Sequence, residues 1–133
     1  MPFELKKGNR DSVLVNPTSG SVISVGGVIQ MDEAGKVIDA VAGAEVYAIA
    51  QQASASGETS AILAEVIFPG CTYRVVPSAG TVGTTLQVGD TCDITSGANA
   101  VDMTATASND VAIVGEEGTT ALLVMFKNAL AGA

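Results

Sequence analysis

The chain has 133 residues and a mass of 13.3 kDa, about one domain's worth, which leaves no room for a second domain of ordinary size. Six Lys and Arg against fourteen Asp and Glu give a net charge of −8, a balance that repels nucleic acid and anionic lipid. Apolar residues make up 47% of the chain, which excludes the disordered class. His is absent, so there is no imidazole base, no His metal ligand and no Ser-His or Cys-His nucleophile pair. The expectation is a protein that is not an enzyme and holds no cofactor and no metal.

Met1 to Arg10 contains no apolar run of signal-peptide length, so a mature start is expected. Pro2, Phe3 and Leu5 supply apolar anchors and Lys6, Lys7 and Arg10 supply bases, with no strand pattern around them. Residues 1–11 carry three bases and two acids, net +1, whereas residues 12–133 carry three bases and twelve acids, net −9. Residues 1–12 therefore read as an extended arm that docks onto an acidic neighbour, ahead of a β-barrel domain at 13–133. A frayed, solvated terminus is the competing reading.

Beyond the arm, short runs of Val, Ile and Thr are punctuated by Gly, Asn, Asp or Pro at the spacing of an all-β fold. Val13–Val15 reads as a strand, followed by a turn at Asn16-Pro17-Thr18-Ser19-Gly20. A strand over Val22–Val25 meets Gly26-Gly27, a bulge or close approach, and resumes through Val28, Ile29 and Met31. Asp32-Glu33-Ala34-Gly35 then turns the chain back into Lys36–Val41, forming a hairpin. Glu45–Gln51 is apolar on both faces, as a strand covered on two sides must be, and belongs in a sheet centre or at a subunit contact. Ala53–Ser60 is an exposed loop tip, and Ala61–Phe68 reads as a strand, although its apolar spacing also fits a helix.

Thr72–Val76 is the next strand, ended by Pro77, and Ser78–Thr85 is a second loop. The last third reads as four strands: Cys92–Thr95, Val101–Thr106, Val111–Val114 and Thr119–Phe126. Turns at Ser96–Asn99, Ser108–Asp110 and Gly115–Gly118 join them in an antiparallel meander or Greek key. Ala129–Ala133 is a small-residue tail, and no fixed-period repeat of the solenoid kind is visible. The longest late apolar stretch, Ala121–Phe126, is far too short to span a bilayer. The fold expected is all-β, a single small antiparallel β-barrel or sandwich with an extended N-terminal arm.

No phosphate loop, dinucleotide fingerprint or nucleophile elbow is present. Asp90, Asp93, Asp102 and Asp110 lie near turns, where hard-oxygen ligation of Ca²⁺ is conceivable. Their spacing matches no metal loop, and bonding to nearby backbone is the simpler role. Glu116 and Glu117 are neighbours at a hairpin tip and point apart, unlike an acid-base pair across a cleft. Cys71 and Cys92 lack a CxxC spacing and read as free thiols, with a single bridge as the alternative.

The order Ile67-Phe68-Pro69-Gly70, Tyr73, the Gly/Thr loop Gly80–Thr85, Val88-Gly89-Asp90 with Asp93-Ile94, Val111–Val114 and the closing Leu123–Asn128 resembles the small β-barrel decoration, or cement, proteins of tailed-bacteriophage capsids. The resemblance covers residues 40–128 and lies in the order of patterns, not in one motif. It implies a structural virion protein that binds the major capsid protein on the outer capsid surface. It also implies a homo-oligomer, often a trimer, assembled in the host cytoplasm, with an N-terminal arm reaching over neighbouring subunits. An acidic body suits the outer surface rather than the DNA-facing one. The capsid-contact candidates are Pro2, Phe3, Leu5, Lys6, Lys7 and Arg10, with no contact to nucleic acid or membrane expected. The alternative is a small β-barrel ligand-binding or surface adhesion module.

Overall fold

Eleven short strands carry the regular structure in the computed structural model, which describes residues 3–32, 35–95 and 99–132. They are β1 (Glu4–Lys7), β2 (Ser12–Val15), β3 (Val28–Met31), β4 (Val37–Asp39), β5 (Ala48–Ala50), β6 (Ile62–Val66), β7 (Thr72–Val75), β8 (Thr91–Ile94), β9 (Val101–Asp102), β10 (Val111–Glu117) and β11 (Ala121–Phe126). One sheet has the order β1-β7-β11-β10-β8-β9 and the other β2-β6-β5-β3-β4, and every ladder in both is antiparallel. The architecture is all-β and sandwich-like. Among the described residues no helix is long and apolar enough to cross a membrane.

The two sheets are built alike. The order β2-β6-β5-β3-β4 becomes β7-β11-β10-β8-β9 when each strand is replaced by the one five places later in the chain. The pairing registers match as well. Val13 faces Ala64 as Tyr73 faces Val124, Ile29 faces Ala48 as Cys92 faces Val111, and Met31 faces Val37 as Ile94 faces Val101. Counterparts lie sixty positions apart in β2/β7 and β6/β11, sixty-three in β3/β8 and β5/β10, and sixty-four in β4/β9. The molecule is thus two tandem five-strand units with β1 added beside the second.

Loop geometry repeats with the strands. The Gly26 N–H donates to the Ala50 carbonyl at 2.7 Å, and its match Gly89 donates to Ile113 at 2.8 Å. Both glycines hold a positive φ, 78° and 99°, which an L side chain would resist. After β2 the chain passes Pro17 and the Thr18 N–H reaches the Val37 carbonyl of β4 at 3.1 Å. After β7 it passes Pro77 and the Ser78 N–H reaches the Val101 carbonyl of β9 at 2.8 Å. In each five-strand unit the chain just after the first strand therefore meets the last strand at one parallel bridge, but neither sheet closes into a barrel with a continuous ladder. Of the two architectures expected, the sandwich is the one found.

Side chains alternate to fill these units. Ile29, Val37, Ala48, Ala50, Ile62 and Ala64 form the buried cluster of the N-terminal unit, closed by Ile23. Their counterparts Cys92, Val101, Val111, Ile113, Leu122 and Val124 lie in the larger cluster, which also takes in Val28, Ile49 and Ile67 of the N-terminal unit and so joins the two sheets. β5 is the central strand of its sheet and is buried on both faces, as its two-sided apolar pattern requires.

Several elements differ from the sequence reading. Val22–Val25 forms no ladder: only Ile23 is bridged, to Ser54, because the chain turns at Val25-Gly26 to enter β3. The strand expected over Val101–Thr106 shortens to two residues, since the Asp102 carboxylate captures the Thr104 N–H at 2.8 Å and bends the chain. β10 runs through the predicted Gly115–Gly118 turn with a register shift near Gly115, and the reversal falls at Gly118–Thr120. In place of a simple meander, β10 pairs with β8, leaving β9 outside it. The tail is held: the Val46 N–H donates to the Asn128 carbonyl, the Leu130 N–H donates back to Val46, both at 2.8 Å, and a 3₁₀ turn spans Leu130–Gly132. The predicted turns at 32–35 and 96–99 fall partly on residues 33–34 and 96–98, outside the described residues.

Candidate binding surface

The five described capsid-contact candidates do not form a free arm. Pro2 lies outside the described residues. Phe3 is buried, its ring 5.1 Å from Phe126, which in turn meets Tyr73 edge-on at 5.3 Å. The Phe3 N–H donates to the Gly26 carbonyl at 3.0 Å, tying the chain start to the N-terminal unit. Leu5 stands opposite Tyr73 and packs on the core, while Glu4 stands opposite Arg74 and Lys7 opposite Thr72. The expectation of an arm outside any strand is corrected. Phe3 and Leu5 are two residues apart and so share one face of a strand, and the edge of β7 accepts that strand within the same molecule.

The polar residues of this segment stay at the surface. Lys6 pairs with Glu4 at 3.5 Å, with both side chains largely exposed. Arg10 reaches the Glu65 carboxylate at 2.8 Å, exposed at the Arg end and buried at the Glu end. Arg74 holds Glu117 at 2.9 Å. Lys6 and Lys7 on β1, Arg10 just after it and Arg74 on the adjoining β7 are four of the chain's six bases, gathered along one edge. Sequence reasoning missed Arg74, because only the β1–β7 pairing brings it there.

The Asp residues near turns act on backbone. Asp93 Oδ1 accepts from the Ser108 and Asn109 N–H groups at 2.9 and 2.7 Å, and Asp90 Oδ2 accepts from the Gln87 N–H at 2.8 Å. Asp102 bonds the backbone two residues on, and hydrogen bonds from Thr104 hold its carboxyl below the usual carboxylate range. Asp110 is buried and joins the units, accepting from the Gly43 N–H at 2.8 Å and the Ile94 N–H at 3.0 Å. Among the described residues no three His, Cys, Asp or Glu side chains are placed to hold a metal ion.

Cys71 and Cys92 are both buried free thiols. Burial, with the carboxylates of Asp93, Asp102 and Asp110 adding to it, pushes the Cys92 thiol up to about 12, so it is a core side chain and not a nucleophile at neutral pH. Burial likewise raises the Tyr73 phenol, with smaller contributions from Cys71 and Glu65 and an opposing one from Arg10.

Asp39 carries a cost. Its Oδ1 is buried with no hydrogen-bond partner among the described residues, and desolvation raises its carboxyl above the usual range. A raised folded-state pKa means that the folded protein holds this proton more tightly than the unfolded chain does. The associated stability is present below the unfolded value near 3.8 and is lost as pH rises through the folded one. Asp39→Asn should therefore raise the melting temperature at neutral pH, with the gain shrinking toward zero as pH falls below that value. A pH-independent gain, or a loss at pH 7, would refute this account.

Comparison with protein-family models, curated proteins and solved structures finds no match for this chain.

Proposed function

We propose that the protein is a structural virion protein that binds the outer surface of a tailed-phage capsid and stabilises it, as a homo-oligomer and without enzymatic activity. The observation that carries this reading is the placing of Lys6, Lys7, Arg10 and Arg74 at the β1–β7 side of an otherwise acidic molecule, where Glu4, Glu65 and Glu117 pair with three of them and Lys7 has no ion pair among the described residues. An edge that offers these bases is the part of this molecule least repelled by an acidic protein surface. The exposed valines support it: Val22, Val25, Val41 and Val88 are each more than half exposed, apolar area available to a neighbour. The aromatic side chains do not favour a ligand-binding module, because Phe3, Tyr73 and Phe126 pack on one another in the core.

In this role the β1 segment is presented as part of the rigid sheet. Its apolar side chains serve the fold, and Glu4, Lys6 and Lys7 remain at the surface for the capsid. Binding should then be salt-sensitive. The test is co-sedimentation of purified protein with expanded capsids that lack a decoration protein, at low and high ionic strength. Saturable binding that weakens with salt is the expected result; no binding at either ionic strength would overturn the proposal.

A further inference from the structure

β2 is the open edge of its sheet, whereas its counterpart β7 is covered. Thr72 and Arg74, the matches of Ser12 and Leu14, face Lys7 and Glu4 of β1. The Asp11 carbonyl accepts from the Val66 N–H at 2.9 Å, on the β6 side, and the Asn16 carbonyl accepts from the Val37 N–H at 3.0 Å, on the other side. Backbone groups alternate along an antiparallel strand, so those of Val13 and Val15 turn toward β6 and those of Ser12 and Leu14 turn outward. Leu14 is 72% exposed, the most exposed large apolar side chain among the described residues, and Leu63 beside it on β6 is partly exposed. β1 guards the other sheet's edge with Glu4, Lys6 and Lys7, whereas Ser12-Val13-Leu14-Val15 holds no charge.

We propose that this edge is closed by β2 of a second copy, paired antiparallel about a twofold axis through Val13. Under that axis the outward N–H and C=O groups of Ser12 meet those of the partner's Leu14, and the reverse, so the edge is self-complementary. The partner strand enters in the antiparallel sense that β1 has beside β7. The uncharged segment opposes no like charges, even though each chain is at −8. Val13 stacks on its mate on one face, and on the other Leu14 lies beside the partner's Ser12. This contact does not depend on the capsid reading, because it forms in solution without capsids.

The test is sedimentation velocity and light scattering from micromolar concentration up to the order of 1 mM, on the wild type and on Leu14→Lys. Leu14→Pro, which takes from the backbone only an outward N–H, is the second variant, and thermal melts check that each variant folds. The expected result is a reversible monomer–dimer equilibrium in the wild type, weakened about tenfold or more in both folded variants. A monomeric wild type at the highest concentration would overturn the proposal. So would a dimer that survives Leu14→Lys, or a trimer indifferent to it. If the wild type stays monomeric but an unrelated uncharged strand peptide adds to it and protects the Leu14 amide from hydrogen exchange, the occupant is a different chain and the second-copy assignment is wrong.

Discussion

Replacing Phe3 with alanine should cost the folded protein about 3–5 kcal/mol, as buried Phe→Ala changes do. The ring is buried between the sheets against Phe126, and its own N–H is bonded to Gly26 of the other unit. A cavity at this point would remove the contact that holds β1 in register on β7. A loss of that size is a large part of the total stability of a domain, about 5–15 kcal/mol. Denaturant titration followed by circular dichroism measures it. Lys7→Ala, on the same strand but exposed, should shift stability by no more than about 0.5 kcal/mol. If Phe3→Ala also falls within that range, the N-terminal segment is a dispensable arm after all.

Asp110→Ala should cost about 2–4 kcal/mol, the expected effect of deleting a buried, charged acceptor that serves two backbone donors. One of those donors, on Ile94, belongs to β8 of the same unit; the other, on Gly43, belongs to the loop after β4 in the other unit. Asp110→Asn keeps the shape but offers one acceptor oxygen in place of two, and should fall between alanine and wild type. Hydrogen exchange would localise the damage: the Ile94 amide should lose protection in the alanine variant before the centre of β11 does. Equal stability of all three proteins would show that the carboxylate joins nothing.

The strands that could be read in advance are those whose side chains alternate or crowd between clear stops. Val13–Val15 before Pro17, Thr72–Val76 before Pro77 and the two-faced Glu45–Gln51 segment fall in this class. β1 was illegible for a physical reason: Lys6-Lys7-Gly8-Asn9-Arg10 has the composition of a solvated tail, and an edge strand with one buried face needs only Phe3 and Leu5 to hold it. The β10 hairpin was misplaced because Gly115 looks like a turn residue, whereas here it sits at a register shift inside a strand. The basic edge was half legible, since Lys6, Lys7 and Arg10 are local in sequence and Arg74 reaches them only through pairing. The two units share few identities, such as the Pro17 and Pro77 turns and Thr59-Ser60-Ala61-Ile62-Leu63 beside Thr119-Thr120-Ala121-Leu122-Leu123. Register and burial match where side-chain identity differs.

The tandem units make each half of the chain a natural substitution experiment on the other. At matched backbone positions, the N-terminal interior has Ala48, Ala50 and Ala64 where the C-terminal one has Val111, Ile113 and Val124. The first unit is therefore lined with smaller side chains and the second with larger ones, on the same pairing scheme. Gly26 and Gly89 are both glycine at their shared bend, and Val25 and Val88, just before them, are both apolar though each lies more than half in solvent. A protein engineer can read such pairs as a two-row alignment carried within one molecule. Positions where the rows agree, as at Gly26 and Gly89, mark what a shared bend demands; those where they differ, as at Leu14 and Arg74, mark an open edge in one half and a covered strand in the other.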